Sequence, residues 1–185
     1  MVGVVSLWIP IVVSAVIVFL ASFVIHMVLK YHWSDWKKVP GEEAVMEAIR
    51  KAGVGPGNYH FPRPANMKEM GTEGFIEKCK RGPVGFMTLV PNGPPAMGKS
   101  LIQWFIFSIV AGIFAAYVAG RTLGPGADYL QVFRIAGTTA FLAYAGCEPV
   151  SSIWKGVRWS ATIKHVFDGL IYALLTGGVF GWLWP

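Results

Sequence analysis

Two stretches of this chain carry no Asp, Glu, Lys or Arg: residues 1 to 29 and residues 100 to 120. Each is long enough to cross a hydrocarbon layer of about 30 Å as a helix rising about 1.5 Å per residue. A water-soluble fold would have to bury several all-apolar helices inside 185 residues. The charged fraction points the same way, at 14% against about 25% for a soluble domain. The chain therefore reads as an all-α membrane protein.

Four spans are expected, over Leu7 to Leu29, Leu101 to Gly120, Tyr129 to Cys147 and His165 to Trp184. The organisation is residues 1–30 as a first transmembrane helix, 31–99 as a long cytoplasmic loop, and 100–185 as a three-helix transmembrane region. The N-terminal run has no basic flank and exceeds the usual apolar core of a secretory signal, so it reads as a retained helix. Within the loop, Glu42 to Ala52 has acids first and bases last, which suits the dipole of a short amphipathic helix. Thr72 to Lys80 reads as a second such helix, stopped by Gly82 and Pro83. Residues 54–70 read as irregular, Val84 to Val90 as a short strand or interfacial segment, and Ser151 to Lys164 as an interfacial connection.

The formal charge of +6 suits anionic headgroups better than nucleic acid, because the basic residues flank apolar segments. Eleven of them lie between Lys30 and Lys99, and Lys155, Arg158 and Lys164 add to the same side. The opposite side has Arg121 and Arg134 alone. The positive-inside bias thus places the loop in the cytoplasm and both termini outside, in a multi-pass protein of a bacterial inner membrane. Cys79 and Cys147 imply no disulfide framework.

Small residues recur every fourth position in two spans. Ser108, Gly112, Ala116 and Gly120 form one ridge; Gly169, Ala173, Gly177 and Gly181 form the other. Such ridges let helix backbones approach closely where lipid supplies no hydrophobic drive. They serve packing within the chain or docking of another subunit.

Ionisable groups cluster in depth: His26, Glu148, His165 and Asp168 all fall near the inner ends of their spans. Such groups are costly in a bilayer and often functional. The plain expectation is a polar junction between helices. His26 and His165 are weak candidates for a cofactor ligand, as a neutral imidazole suits haem. No metal site is expected, since His32 and His60 lack ligand spacing. Arg134, about one turn inside its span, has Asp128 as its natural partner. Gly93, Gly98, Lys99 and Ser100 match a phosphate-binding loop letter for letter, but no βαβ unit surrounds them and no nucleotide is expected.

The opening SLWIPIVVSAVIVFLASFVIHMVLKYHWSDW, the central GPVGFMTLVPNGPPAMGKS and the closing DGLIYALLTGGVFGWLWP resemble a group of bacterial conserved hypothetical membrane proteins with four helices. The resemblance implies a bacterial inner-membrane setting and assigns no activity or site. With no catalytic constellation, the chain reads as a non-catalytic accessory or structural subunit of a larger membrane complex of respiratory or photosynthetic kind. The alternatives are a small transporter or channel, or a haem-binding redox protein. Its expected partners are the bilayer and other membrane subunits. No cofactor of its own is expected, although eight Trp and twelve Phe offer contacts to lipid or pigment.

Overall fold

The structure, a computed structural model, describes residues Met1–Pro185. The chain divides into two units, 1–36 together with 96–185, and 37–95. The first is entirely helical. A 3₁₀ turn over Val4–Leu7, helix α1 over Trp8–Phe23 and a π-helical turn over Val24–Val28 make one continuous apolar segment. Helices α4 (Met97–Thr122), α5 (Tyr129–Ala145), α6 (Glu148–Lys155) and α7 (Trp159–Trp182) complete this unit. Three segments, Val4–Val28, Met97–Thr122 and Trp159–Trp182, are long and apolar enough to cross a membrane. Helix α5 has 17 residues, about 25 Å at 1.5 Å per residue, and is shorter than each of these three segments.

Two boundaries differ from the sequence reading. Helix α4 starts at Met97, before the apolar run. The connection read over Ser151 to Lys164 is largely helical, as α6 and the first turns of α7. Packing causes this: Ala161 and Thr162 are buried, and the Thr162 and Ser152 hydroxyls lie 2.5 Å apart. Gly156, at φ 67°, supplies the left-handed turn between the two helices.

The core of the bundle is built from small residues. One cluster joins Val2, Leu7 and Ile11 to Ala115, Ala116 and Ala119 of α4, Val132 and Ala136 of α5, and Phe180 of α7. A second joins Val18 and Ile25 to Ala111, Ala140, Tyr144, Tyr172 and Ala173. At one end, the Val2 amide donates to the Gly120 carbonyl (2.8 Å) and the Gly126 amide to that of Pro185 (2.7 Å). Both termini and the α4–α5 connection therefore share that end. The chain leaves α1 at the other end.

The second unit holds α2 (Glu42–Lys51), α3 (Glu73–Arg81) and an antiparallel pair, β1 (Gly57–Phe61) with β2 (Gly85–Leu89). The Thr72 side chain caps α3 by accepting from the Phe75 amide. Strand β1 falls where irregular chain was expected. Its partner lies 28 residues on in register, Gly85 opposite Phe61 and Leu89 opposite Gly57, so local sequence carries little sign of it. Of its residues only Pro62 is buried, so this unit has no apolar core of its own.

Candidate functional site

The end of the bundle opposite the termini is organised by the residues that follow the first span. Lys30 takes a left-handed conformation (φ 52°) and ends the helical run. The next residues form a 3₁₀ turn, Tyr31–Asp35, that lies against the start of α7. Two cations of α7 and its approach hold the turn. The Lys164 ammonium donates to the Tyr31 carbonyl (2.8 Å), the Ser34 hydroxyl (2.8 Å) and Asp35 Oδ1 (2.6 Å). The Arg158 guanidinium donates to the Ser34 carbonyl (2.7 Å).

This clamp sets His32 at the centre of a cluster. Its Nδ1 lies 2.7 Å from Asp35 Oδ2, and its Nε2 lies 2.7 Å from Asp168 Oδ2. The other Asp168 oxygen accepts a hydrogen bond from the Tyr31 hydroxyl. The His26 ring lies 4.6 Å from that of His32, centroid to centroid. The His165 ring stacks on the other side at 4.8 Å. Asp168 is 2% exposed. An isolated carboxylate so buried is costly unless paired and hydrogen-bonded, and here both of its oxygens have partners.

Electrostatics follow from this packing. Burial pushes the Asp35 carboxyl up, but hydrogen bonds from Lys164 and His32 outweigh it and hold the group below the usual carboxylate range. Tyr31 is raised well above the ordinary phenol range, first by burial and then by its bond to Asp168. Tyr31 thus stays a hydrogen-bond donor at neutral pH.

The arrangement brings ligating atoms together in two overlapping sets. In His26, His32 and Asp168, and in His32, Asp35 and His165, one ligating atom from each residue lies within 4.8 Å of the others. Metal–nitrogen and metal–oxygen bonds of about 2.1 Å put ligand atoms at most about 4.2 Å apart across an ion. A shift of a few tenths of an ångström per ligand therefore closes either set on a cation.

Three of the four residues expected at this depth, His26, His165 and Asp168, do meet. Glu148 does not: it opens α6, where a carboxylate suits the N-terminal dipole, and makes no side-chain hydrogen bond or ion pair. His32, set aside from sequence for lack of ligand spacing, lies at the centre of the cluster, and Tyr31, Asp35 and Lys164 carried no such expectation. A signal was present, since His32–Asp35 and His165–Asp168 repeat the same His-x-x-Asp spacing. His60 stacks on Phe86 in the β-hairpin (4.5 Å) and has no place in the cluster. Asp128 is not the partner of Arg134: its carboxylate accepts from the Leu130 amide (3.1 Å) at the start of α5. Arg134 is exposed and has no acidic neighbour.

The two ridges of small residues are consumed by packing within the chain. A Cβ on Gly177 would stand 2.8 Å from the Phe133 carbonyl, and one on Gly181 would stand 2.7 Å from the Tyr129 ring. One on Gly169 would meet Ala145 Cβ at 2.8 Å, and one on Gly120 would overlap the Val2 carbonyl. Gly112 packs on Ile11, while Ser108, Ala116 and Ala173 are buried. Comparison with protein-family models, curated proteins and solved structures finds no match. The residues of this cluster are therefore the basis for a functional reading.

Proposed function

We propose that this protein is a membrane-embedded metal-binding subunit, holding one divalent first-row transition ion through His26, His32 and Asp168. The observation that carries the reading is the convergence of two imidazoles and one buried carboxylate with an outer carboxylate behind them. Two histidines and one carboxylate on one side of an ion leave coordination positions open, a donor set suited to iron(II) and its neighbours. Neither cysteine belongs to the cluster, so a thiolate-preferring ion such as copper(I) is disfavoured. The contact of His32 Nδ1 with Asp35 (2.7 Å) is the kind of outer bond that fixes a ligand's tautomer and ring orientation. Lys164 fixes Asp35 in turn. His165, stacked on His32, is the further donor within reach.

The test is metal loading of the full chain, purified in mild detergent and titrated anaerobically with cobalt(II) as a spectroscopic probe. Saturable visible bands and about one equivalent bound per chain are expected, both lost in His32→Ala and kept in His60→Ala. Equal binding by wild type and His32→Ala would overturn the proposal.

The expectation of an accessory subunit in a larger bacterial inner-membrane assembly, respiratory or photosynthetic, is compatible with this reading and has its own support. Arg134 lies in a groove of about 290 Å³ between α5 and α7, beside Phe133, Thr138 and Leu170. A cation on a bilayer-facing helix calls for a lipid phosphate or an acidic group of another subunit. Native electrophoresis with mass spectrometry should find a stable co-migrating membrane protein, weakened by Arg134→Leu. A lone chain in both samples would leave lipid as the partner. In this reading α5 is a fourth crossing, and the metal end faces the basic, cytoplasmic side. Cysteine labelling at positions 58 and 126, in a chain lacking Cys79 and Cys147, checks that orientation: only position 126 should react in intact cells.

A further inference from the structure

A cleft of about 340 Å³ lies between the first span and α4, lined by Phe19, Phe23, His26 and Met27 on one side and Leu101 and Trp104 on the other. Phe23, Met27 and Leu101 are each partly exposed on segments apolar enough to cross a membrane, so the mouth opens toward lipid. We propose that this cleft binds the ring of a lipid-soluble quinone, quinol or phenol, with its oxygen against His26. The proposal rests on the metal-centre reading only in that it supplies a molecule beside an ion held by the same histidine.

Three observations support it. First, the walls are chiefly rings and thioethers. A flat ring packs on such walls by offset or edge contacts that an alkyl chain does not make. A dry cavity of about 150 Å³ suffices for benzene, so the space here accommodates a substituted ring and the start of its tail. Second, the polar groups are sorted. The Ser22 hydroxyl accepts from Trp104 Nε1 (2.9 Å) and donates to the Phe19 carbonyl (2.8 Å). It fixes the Trp104 wall and has no donor left. His26 makes no hydrogen bond to any protein group, unlike His32 beside it. An imidazole has two ring nitrogens; were one to hold an ion, the other would still suit a hydroxyl or carbonyl oxygen. Third, His26 sits in the π-helical turn Val24–Val28. Such turns are rare and are frequently found at functional sites. Together these features describe an apolar slot with a hydrogen-bonding group in its lining, next to a cluster of residues able to ligate a metal.

The experiment uses the full chain in lipid nanodiscs, with decyl-benzoquinone as a tryptophan-quenching probe and decane and decanol as competitors. Wild type should show saturable quenching, and decanol or decane should displace the probe at least tenfold less effectively than decyl-phenol does. The quenching amplitude should fall in Trp104→Phe, and the apparent affinity should fall at least tenfold in His26→Ala and in Ser100→Phe, which fills the cleft mouth. Affinity is compared between preparations of equal metal content, which separates the two proposals. Saturable, His26-dependent ring binding by a chain that takes up no cobalt would remove the metal reading and leave this one standing. Displacement by decanol as effective as by decyl-phenol would show a groove for lipid chains only and overturn it. So would binding that Ser100→Phe leaves unaltered, in a chain that loads metal normally.

Discussion

The two ends of the helical unit are held by different kinds of force. At the end that carries both termini, backbone carbonyls are the acceptors: Gly120 for the Val2 amide, Pro185 for the Gly126 amide, and Gly124 for the Trp184 indole N–H (2.9 Å). Glycines and alanines allow those approaches, and no ion pair takes part. At the other end, ionisable side chains make the junction: His32 between Asp35 and Asp168, Lys164 on Asp35, and Tyr31 on Asp168. Close-packed ends are intolerant of volume but indifferent to charge. Buried polar networks contribute little net stability, since desolvation offsets attraction, and so ionisable groups gathered in one are better explained by chemistry than by folding. If the polar end holds a metal as proposed, stability and function separate by position along the bundle axis.

The largest effect should come from breaking the packed side. Gly177→Leu forces α5 and α7 apart, because even a Cβ there would lie 3.1 Å from Gly137 Cα. A loss of about 3 kcal/mol is expected, the upper end of ordinary overpacking penalties. Thermal or denaturant unfolding in detergent measures it. An unchanged midpoint would mean that the helices do not pack this closely.

At the polar end the counterpart is Asp35→Asn. Metal affinity should fall roughly 10- to 100-fold, as for other outer-sphere partners of a ligating histidine, with a loss of stability in neutral buffer that is smaller than that of Gly177→Leu. The same variant should alter the acid side of the stability curve. The folded Asp35 carboxyl lies below its ordinary range. Its pairing therefore contributes stability above the ordinary carboxylate pKa, which is lost as pH falls through the folded value. Asp35→Asn should flatten that acid slope. A slope identical to wild type would show that Asp35 has no favourable pairing in the folded protein.

The smallest effect tests the hinge between the first span and the site. Lys30 is the one non-glycine residue at positive φ, a conformation costing roughly 1–2 kcal/mol for a residue with a Cβ. Lys30→Gly should relieve that strain, offset by greater unfolded-chain entropy, for a net change below about 1 kcal/mol. Metal binding should persist. If cobalt binding disappears, the Lys30 side chain has a role that its backbone geometry does not explain.

The sequence by itself determined the membrane character, because charge-free runs of this length have few alternatives to spanning helices. It also marked α2 through its acid-first, base-last order and the end of α3 through Gly82 and Pro83, and it marked small-residue ridges whose spacing predicts close helix contact. Three members of the polar cluster were legible from depth alone, since residues near the same end of several spans must share a level. Depth says nothing about rotation around each helix axis, which is why Glu148 was grouped with residues it does not meet. Nor does it say where the chain goes after leaving a span. His32 and Asp35 read as loop residues until the left-handed turn at Lys30 and the clamp by Lys164 and Arg158 fold them back over α7. Asp168 lies 133 residues after Asp35 in the chain, yet both touch the same imidazole. Local patterns record which residues are polar and how deep they lie. Only tertiary packing decides which of them face one another, because it fixes the azimuth of each helix and the path between them.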